Sequence, residues 1–255
     1  MFLNYLVISW AYVNILPLLV ESKNENITIF YNMYIPDHPR WTDHAIDIVK
    51  EQLEHRNNSI IPNAPLYYIN IGKNIGELEN CNNCEKIMHY DSGNEVETLS
   101  HLHDYCTIHK DAKVIYMHNK GSWHHSTVNN RFRNMLNRAI FSSECVNLKT
   151  PRTTLRSKGS RCKCNICSAR FSPIPYLYMS GNMWVSECSY ISKLMHPSKI
   201  EAAMTELFRS APVKKFGNIV ENSQPYELGI DRGSHEHWVT SHPDRKLFLT
   251  LVNLF

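Results

Sequence analysis

Glycine is scarce: the 255 residues hold 9, about half the roughly 7% of average usage. That argues against glycine-rich phosphate loops, and no Walker-type Gly-x-x-x-x-Gly-Lys run occurs. A Gly-x-Ser-x-Gly nucleophile elbow is absent, as is the His-Glu-x-x-His pair of zinc proteases. Internal repeats and low-complexity tracts are missing too. Net charge is slight, +3 from 27 basic and 24 acidic residues, which is too balanced for a chain built to coat nucleic acid. With 43% hydrophobic and 20% charged residues, the chain can bury a substantial core and is not disordered throughout.

Histidine and cysteine are plentiful instead, at 14 and 8. Residues 2–20 carry no charge, about the length that crosses a bilayer core. No Lys or Arg precedes them and no Ala-x-Ala-like cleavage site follows. Residues 1–22 therefore read as a signal anchor or signal peptide, or as a buried first helix or strand pair. Sequons at Asn26 and Asn57 and an even cysteine count fit an oxidising compartment. Together these features place the expectation in the secretory pathway. The form would be an ER or Golgi membrane protein with a luminal domain, or a secreted protein if the segment is cleaved.

Residues 23–255 read as one α/β domain. Ile27 to Ile35 is strand-like and stops at Pro36, and 40–56 carries apolar residues at helical spacing. Leu66 to Ile71 is a second strand, 72–94 a polar excursion loop, and Val96 to Cys106 a second helix. Val114 to Met117 is a short strand, followed by a helical face from Val128 to Ile140. This alternation predicts a mainly parallel sheet, which binds ligands beyond the carboxyl ends of its strands. Between 149 and 170 seven cations, Lys149 to Arg170, occur with no acid, leaving 20 basic against 24 acidic residues elsewhere, or −4. Such a loop is either solvated surface or an anion-capturing patch.

Four segments carry candidate chemistry. In His118-Asn119-Lys120-Gly121-Ser122, before Trp123, His124 and His125, the Lys120 ammonium, backbone N–H groups and the Ser122 hydroxyl suit a phosphate. His118 suits the same anion or a sugar hydroxyl, and Arg131 and Arg133 extend the positive field. Cys162, Cys164, Cys167 and distant Cys188, with Cys81 and Cys84 as a further Cys-x-x-Cys, suit disulfides or a structural zinc. In Ser180 to Val185, Asn182 and Trp184 suit a sugar, while Met183 to Val185 also reads as a core strand. In His235-Glu236-His237-Trp238, Glu236 suits a general base, and His237 with His242 is a weak metal pair. His101, His103 and His109 read as surface or helix positions.

Taken in order, Ile29 to Pro36, His118 to Ser122, Cys164 to Pro173, Ser180 to Val185, Glu236 to Trp238 and Ser241 to Pro243 resemble an algal glycosyltransferase-like family. The His-x-Lys-x-Ser run is more distantly similar to rhamnan-synthesis-type polysaccharide glycosyltransferases. The resemblance implies a single Rossmann-like domain of the glycosyltransferase A type and a nucleotide-sugar donor. It further implies donor-phosphate roles for His118, Lys120 and Ser122, sugar contacts for Asn182 and Trp184, and Glu236 as base. Enzymes of that fold commonly hold a divalent cation on Asp-x-Asp. This chain has no Asp-x-Asp, and Glu77-x-Glu79 and Glu95-x-Glu97 follow no convincing strand. Lys120 is then the expected counter-charge. A glycan or glycoprotein acceptor is implied, with no nucleic acid. Two other readings stand beside it: a non-catalytic glycan-binding or cell-surface protein on a degenerate transferase fold, and a zinc-stabilised interaction protein.

Overall fold

A computed structural model describes residues 26–79, 81–123, 125–148, 164–171, 178–210, 231–242 and 247–249. The hydrophobic segment 2–20, His124, Cys162, Pro173, Pro243 and the cations from Lys149 to Lys163 lie outside the described residues. Among the described residues no helix is long and apolar enough to cross a membrane.

Strand β1 (Ile27–Ile35) is buried along nearly its whole length, as expected of a parallel strand covered on both faces. Side chains alternate between faces. Ile29, Tyr31, Met33 and Ile35 join one core cluster with Ala45 and Val49 of α1 (Thr42–Asn57) and Leu136 and Ile140 of α3 (Thr127–Ile140). On the opposite face Phe30 packs with Leu99, Leu102 and Cys106 of α2 (Glu95–Ile108). Helices thus cover both sides of one sheet.

The sheet has seven strands in the order β3-β2-β1-β4-β6-β5-β7. The remaining members are β2 (Leu66–Gly72), β3 (Cys84–Tyr90), β4 (Lys113–His118), β5 (Ile166–Ser168), β6 (Trp184–Glu187) and β7 (Leu247–Leu249). Strand β6 runs antiparallel to both neighbours, and the other six are parallel. The fold is mixed α/β with a mainly parallel sheet, as the alternation predicts.

Gly72 shows why one of the few glycines stands where it does. Its φ is +85°, and a Cβ there would lie 2.3 Å from the Ile35 carbonyl oxygen. The ends of β1 and β2 approach too closely for any side chain.

One element differs from expectation. The excursion loop 72–94 contains β3, the sheet's edge strand. Its residues are only partly buried, so Glu85, Lys86 and His89 replace the apolar run that marks an interior strand. Fully buried Arg56 anchors the entry to β3, donating to the carbonyls of Ala64 and Asn82, both at 2.8 Å.

The cysteines settle a second point. Cys81 pairs with Cys84, Cys106 with Cys188, and Cys145 with Cys167. A zinc centre on Cys162, Cys164, Cys167 and Cys188 is excluded, since two of its members are committed to other partners. Cys164 is buried. The Cys106–Cys188 bridge ties α2, across 82 residues, to α5 (Cys188–Ile191), the helix after α4 (Ser143–Asn147). Replacing both cysteines by Ala is expected to cost about 2–5 kcal/mol, read as a lower urea midpoint under non-reducing conditions.

Candidate functional site

The chain leaves β1 towards β2 and β3 on one side and later returns to place β4 on the other. The carboxyl ends of β1 and β4 therefore flank a crevice where strand order reverses, the usual ligand position in such sheets. A cavity of about 840 Å³ opens there, lined among others by Tyr34, Glu95, His118, Lys120, Trp123 and Glu236.

Asn119 fixes the floor. Its side chain accepts from the Tyr34 N–H at 2.8 Å and donates to the Tyr34 carbonyl at 2.6 Å, locking the two strand ends together. The loop beyond is closed by its own backbone: Lys120 N–H donates to the His118 carbonyl and Ser122 N–H to the Asn119 carbonyl. Gly121 takes a φ of +88°, which suits glycine. Those two amides are spent on the turn, so the expected backbone phosphate cradle is not formed by them. Half-buried Lys120 remains, its Nζ 5.6 Å from the Phe132 ring centroid. Arg170 lies 5.8 Å from the same ring, so one end of the basic loop stands near Lys120. Arg133 does not extend the field as expected. It is buried, paired with both carboxylate oxygens of Glu51 and donates to the Lys120 carbonyl. Its work is to shape the loop. Arg131 is exposed.

Two carboxylates face the cavity. Glu95, at the start of α2, accepts from the Tyr116 hydroxyl at 2.9 Å and from the Asn182 amide. His118 Nδ1 stands 3.9 Å from its other oxygen. Burial raises the Glu95 pKa, but His118, His235 and these hydrogen bonds outweigh it and hold the carboxyl below its ordinary value. It stays ionised. Glu236 lies in α7 (His235–Trp238), which packs near α6 (Ile200–Ser210), and accepts from the Gly181 N–H at 3.3 Å. His118 Nε2 donates to the Gly181 carbonyl at 2.8 Å, so one peptide segment connects the two acids. Gly181 permits this contact: with φ +84°, a Cβ would lie 2.7 Å from Leu136.

Burial lowers the His118 pKa below its ordinary 6.5, opposed by Glu95 and assisted by Lys120. The buried imidazole is neutral at pH 7 and donates through Nε2. On acidification the unfolded chain takes up a proton near pH 6.5 that the folded chain refuses, so stability falls. Between pH 7 and 5 the wild-type unfolding free energy is expected to decline. His118→Gln should flatten that slope, by at most about 1.4 kcal/mol per pH unit. Urea titrations at stepped pH measure it.

Trp184 does not offer a face to a sugar. It is fully buried, stacked at 5.4 Å on Tyr116, its partner across β4 and β6. Its indole N–H donates to Asn182 Oδ1 at 2.9 Å, which aims the Asn182 amide at Glu95. Asn182 is itself 1% exposed. Both residues organise the acid from behind. Trp123, 44% exposed at the cavity rim, is the aromatic face available to a ligand. Ser122 is buried in the lining. His237 also lines the cavity, against the Tyr178 ring, whereas His242 sits against Tyr190. Of that expected metal pair, only His237 lines the cavity. Asn26 and Asn57 are both exposed.

Sequence reasoning passed over Glu95 and His235. Glu95-x-Glu97 is visible in the sequence, but the strand before it reads as loop. His235 is 1% exposed, with Nδ1 lacking a hydrogen-bond partner among the described residues, beside a carboxylate it helps to keep ionised.

The carboxylates this cavity offers to a divalent cation are Glu95 and Glu236, and a diphosphate-bound magnesium needs only one or two. Glu95 Oε2 already takes two hydrogen bonds, and among the described residues no three ligand atoms converge in the cavity.

A family model described as a domain of unknown function, DUF8361, matches residues 30–246. The chain belongs to that family. No curated protein matches it. Among solved structures, a cytidylyltransferase from Leptospira borgpetersenii serovar Hardjo-bovis is similar at 8% identity. Its TM-score is 0.35, covering 73% of this chain and 72% of that one.

Proposed function

We propose that this chain is a nucleotide-sugar-dependent glycosyltransferase of the glycosyltransferase A type. The observation that carries the reading is the convergence of Lys120, Glu236 and exposed Trp123 on one cavity at the sheet's switch point. The diphosphate lies against Lys120, with Arg170 and the basic loop adding positive potential. Trp123 stacks on the base or the sugar. Glu236 takes the proton of an acceptor hydroxyl as its oxygen bonds to the anomeric carbon. The bond from that carbon to the diphosphate breaks, and its electron pair leaves on the phosphate oxygen, stabilised by the Lys120 ammonium. Ionised Glu95 holds His118 and, through Asn182, the Gly181 turn that seats Glu236.

The three disulfides, the exposed sequons and the uncharged segment 2–20 support a luminal setting with a glycan or glycoprotein acceptor. A thermal-shift panel of UDP, GDP, CDP and their sugars tests the reading. At least one nucleotide should stabilise the protein, and Lys120→Ala should weaken it about 10–100-fold, the worth of one charge-assisted hydrogen bond. No stabilisation by any nucleotide at millimolar concentration would remove the class.

A further inference from the structure

A second cluster stands apart from the cavity. Buried His103 and exposed Asp104 lie in the second half of α2, and His196 follows α5 just before a 3-10 turn at Pro197–Lys199. His103 Nδ1 is 3.6 Å from Asp104 Oδ1, and His196 Nε2 is 3.7 Å from the same oxygen. All three atoms lie within 4.8 Å of one another. These separations exceed a hydrogen bond but are close to the spacing of two ligands about 2.0–2.2 Å from one tetrahedral zinc ion.

His103 is oriented as a ligand is. His103 is 8% exposed, and its Nε2–H donates to the Leu194 carbonyl at 3.2 Å. That fixes Nδ1 as the lone-pair nitrogen, and this buried atom has no hydrogen-bond partner among the described residues. His196 Nδ1 accepts from the Ser198 N–H at 3.4 Å and lies 2.8 Å from Ser198 Oγ; a metal on Nε2, which faces Asp104, shifts the ring proton to Nδ1, where Ser198 Oγ accepts it. An outer acceptor on the second ring nitrogen is the usual arrangement around a metal-bound imidazole. A buried nitrogen without a partner is costly otherwise.

We infer that His103, Asp104 and His196 form a zinc site, with Asp104 exposed and the fourth position open to water. Two imidazoles and one carboxylate suit zinc better than magnesium or calcium, which prefer oxygen. The ion clamps the last turns of α2 to the segment after α5, near the Cys106–Cys188 bridge between the same elements. Its reach extends to α7: the Trp238 ring lies 6.3 Å from His103, and its indole N–H donates to the Met195 carbonyl. In the sequence His103 reads only as a helix position, because His196 is 93 residues distant and only the fold unites them.

The full chain, disulfides intact and stripped with EDTA, is titrated with zinc chloride. One equivalent should bind, and at a hundredfold excess over Kd the melting temperature should rise by about 5–10 °C. Asp104→Asn and His196→Ala, both at accessible positions, should each abolish the rise. Ser198→Ala should weaken zinc about 10–100-fold. Glu95→Gln should bind zinc as the wild type does. The inference is overturned if zinc fails to bind, if magnesium gives the same shift, or if both ligand variants keep wild-type affinity.

Discussion

Glu236→Gln should lower sugar transfer about 10²–10⁴-fold, the usual worth of a positioned general base, with nucleotide affinity unchanged. The amide keeps the size of the carboxylate and still accepts from the Gly181 N–H, so the turn should stay in place. What it loses is the ability to take the acceptor's proton. Because the affected interaction exists only as the hydroxyl attacks, kcat and kcat/KM should fall together. Lys120→Ala separates from it. That substitution weakens the donor in the ground state as well, so nucleotide binding falls too. Single-turnover assays with a labelled nucleotide sugar distinguish the two patterns. Full turnover in Glu236→Gln would remove this residue from the chemistry and leave Glu95 as the other carboxylate facing the cavity.

How much of this could be read from the chain follows from where each residue sits in the sheet. Interior strands announce themselves, and β1 is a run of nine residues of which eight are buried. The helices α1 and α3 declare their buried faces by spacing. The edge strand β3 does not, because one side and one edge meet water and its composition resembles a loop. That single misreading hid Glu95, whose place depends on β3 delivering the chain to the crevice. The Lys-Gly-Ser loop was legible as a strand end, but not the use of its amides within the turn. Arg133 looked like an anion ligand because Glu51, its partner, is 82 residues away. Disulfide pairing was illegible for a similar reason. Eight cysteines admit 105 connectivities, and Cys106 and Cys145 meet their partners only when the helices dock.

Trp184→Ala should destabilise the protein by about 3–5 kcal/mol, the range for removing a large aromatic residue from a core. Trp123→Ala should leave stability within about 0.5 kcal/mol and weaken the ligand instead. Each tryptophan is followed by polar or apolar neighbours that do not reveal its exposure; one is 0% and the other 44% exposed. Loss of Trp184 has a second consequence beyond the cavity it leaves. Asn182 Oδ1 loses its donor, so the amide that grips Glu95 is no longer oriented, and the adjoining Gly181 turn loosens under Glu236. Trp184→Phe separates the two effects. It keeps most of the ring volume but leaves Asn182 without its indole donor, at about 1–3 kcal/mol. Urea midpoints for the three variants, beside nucleotide-sugar binding, decide the matter. A wild-type midpoint in Trp184→Ala with weakened sugar binding would return that ring to the ligand. A large loss of stability would leave Trp123 as the face on which a base or sugar rests, and Trp184 as the support that holds the acid behind it.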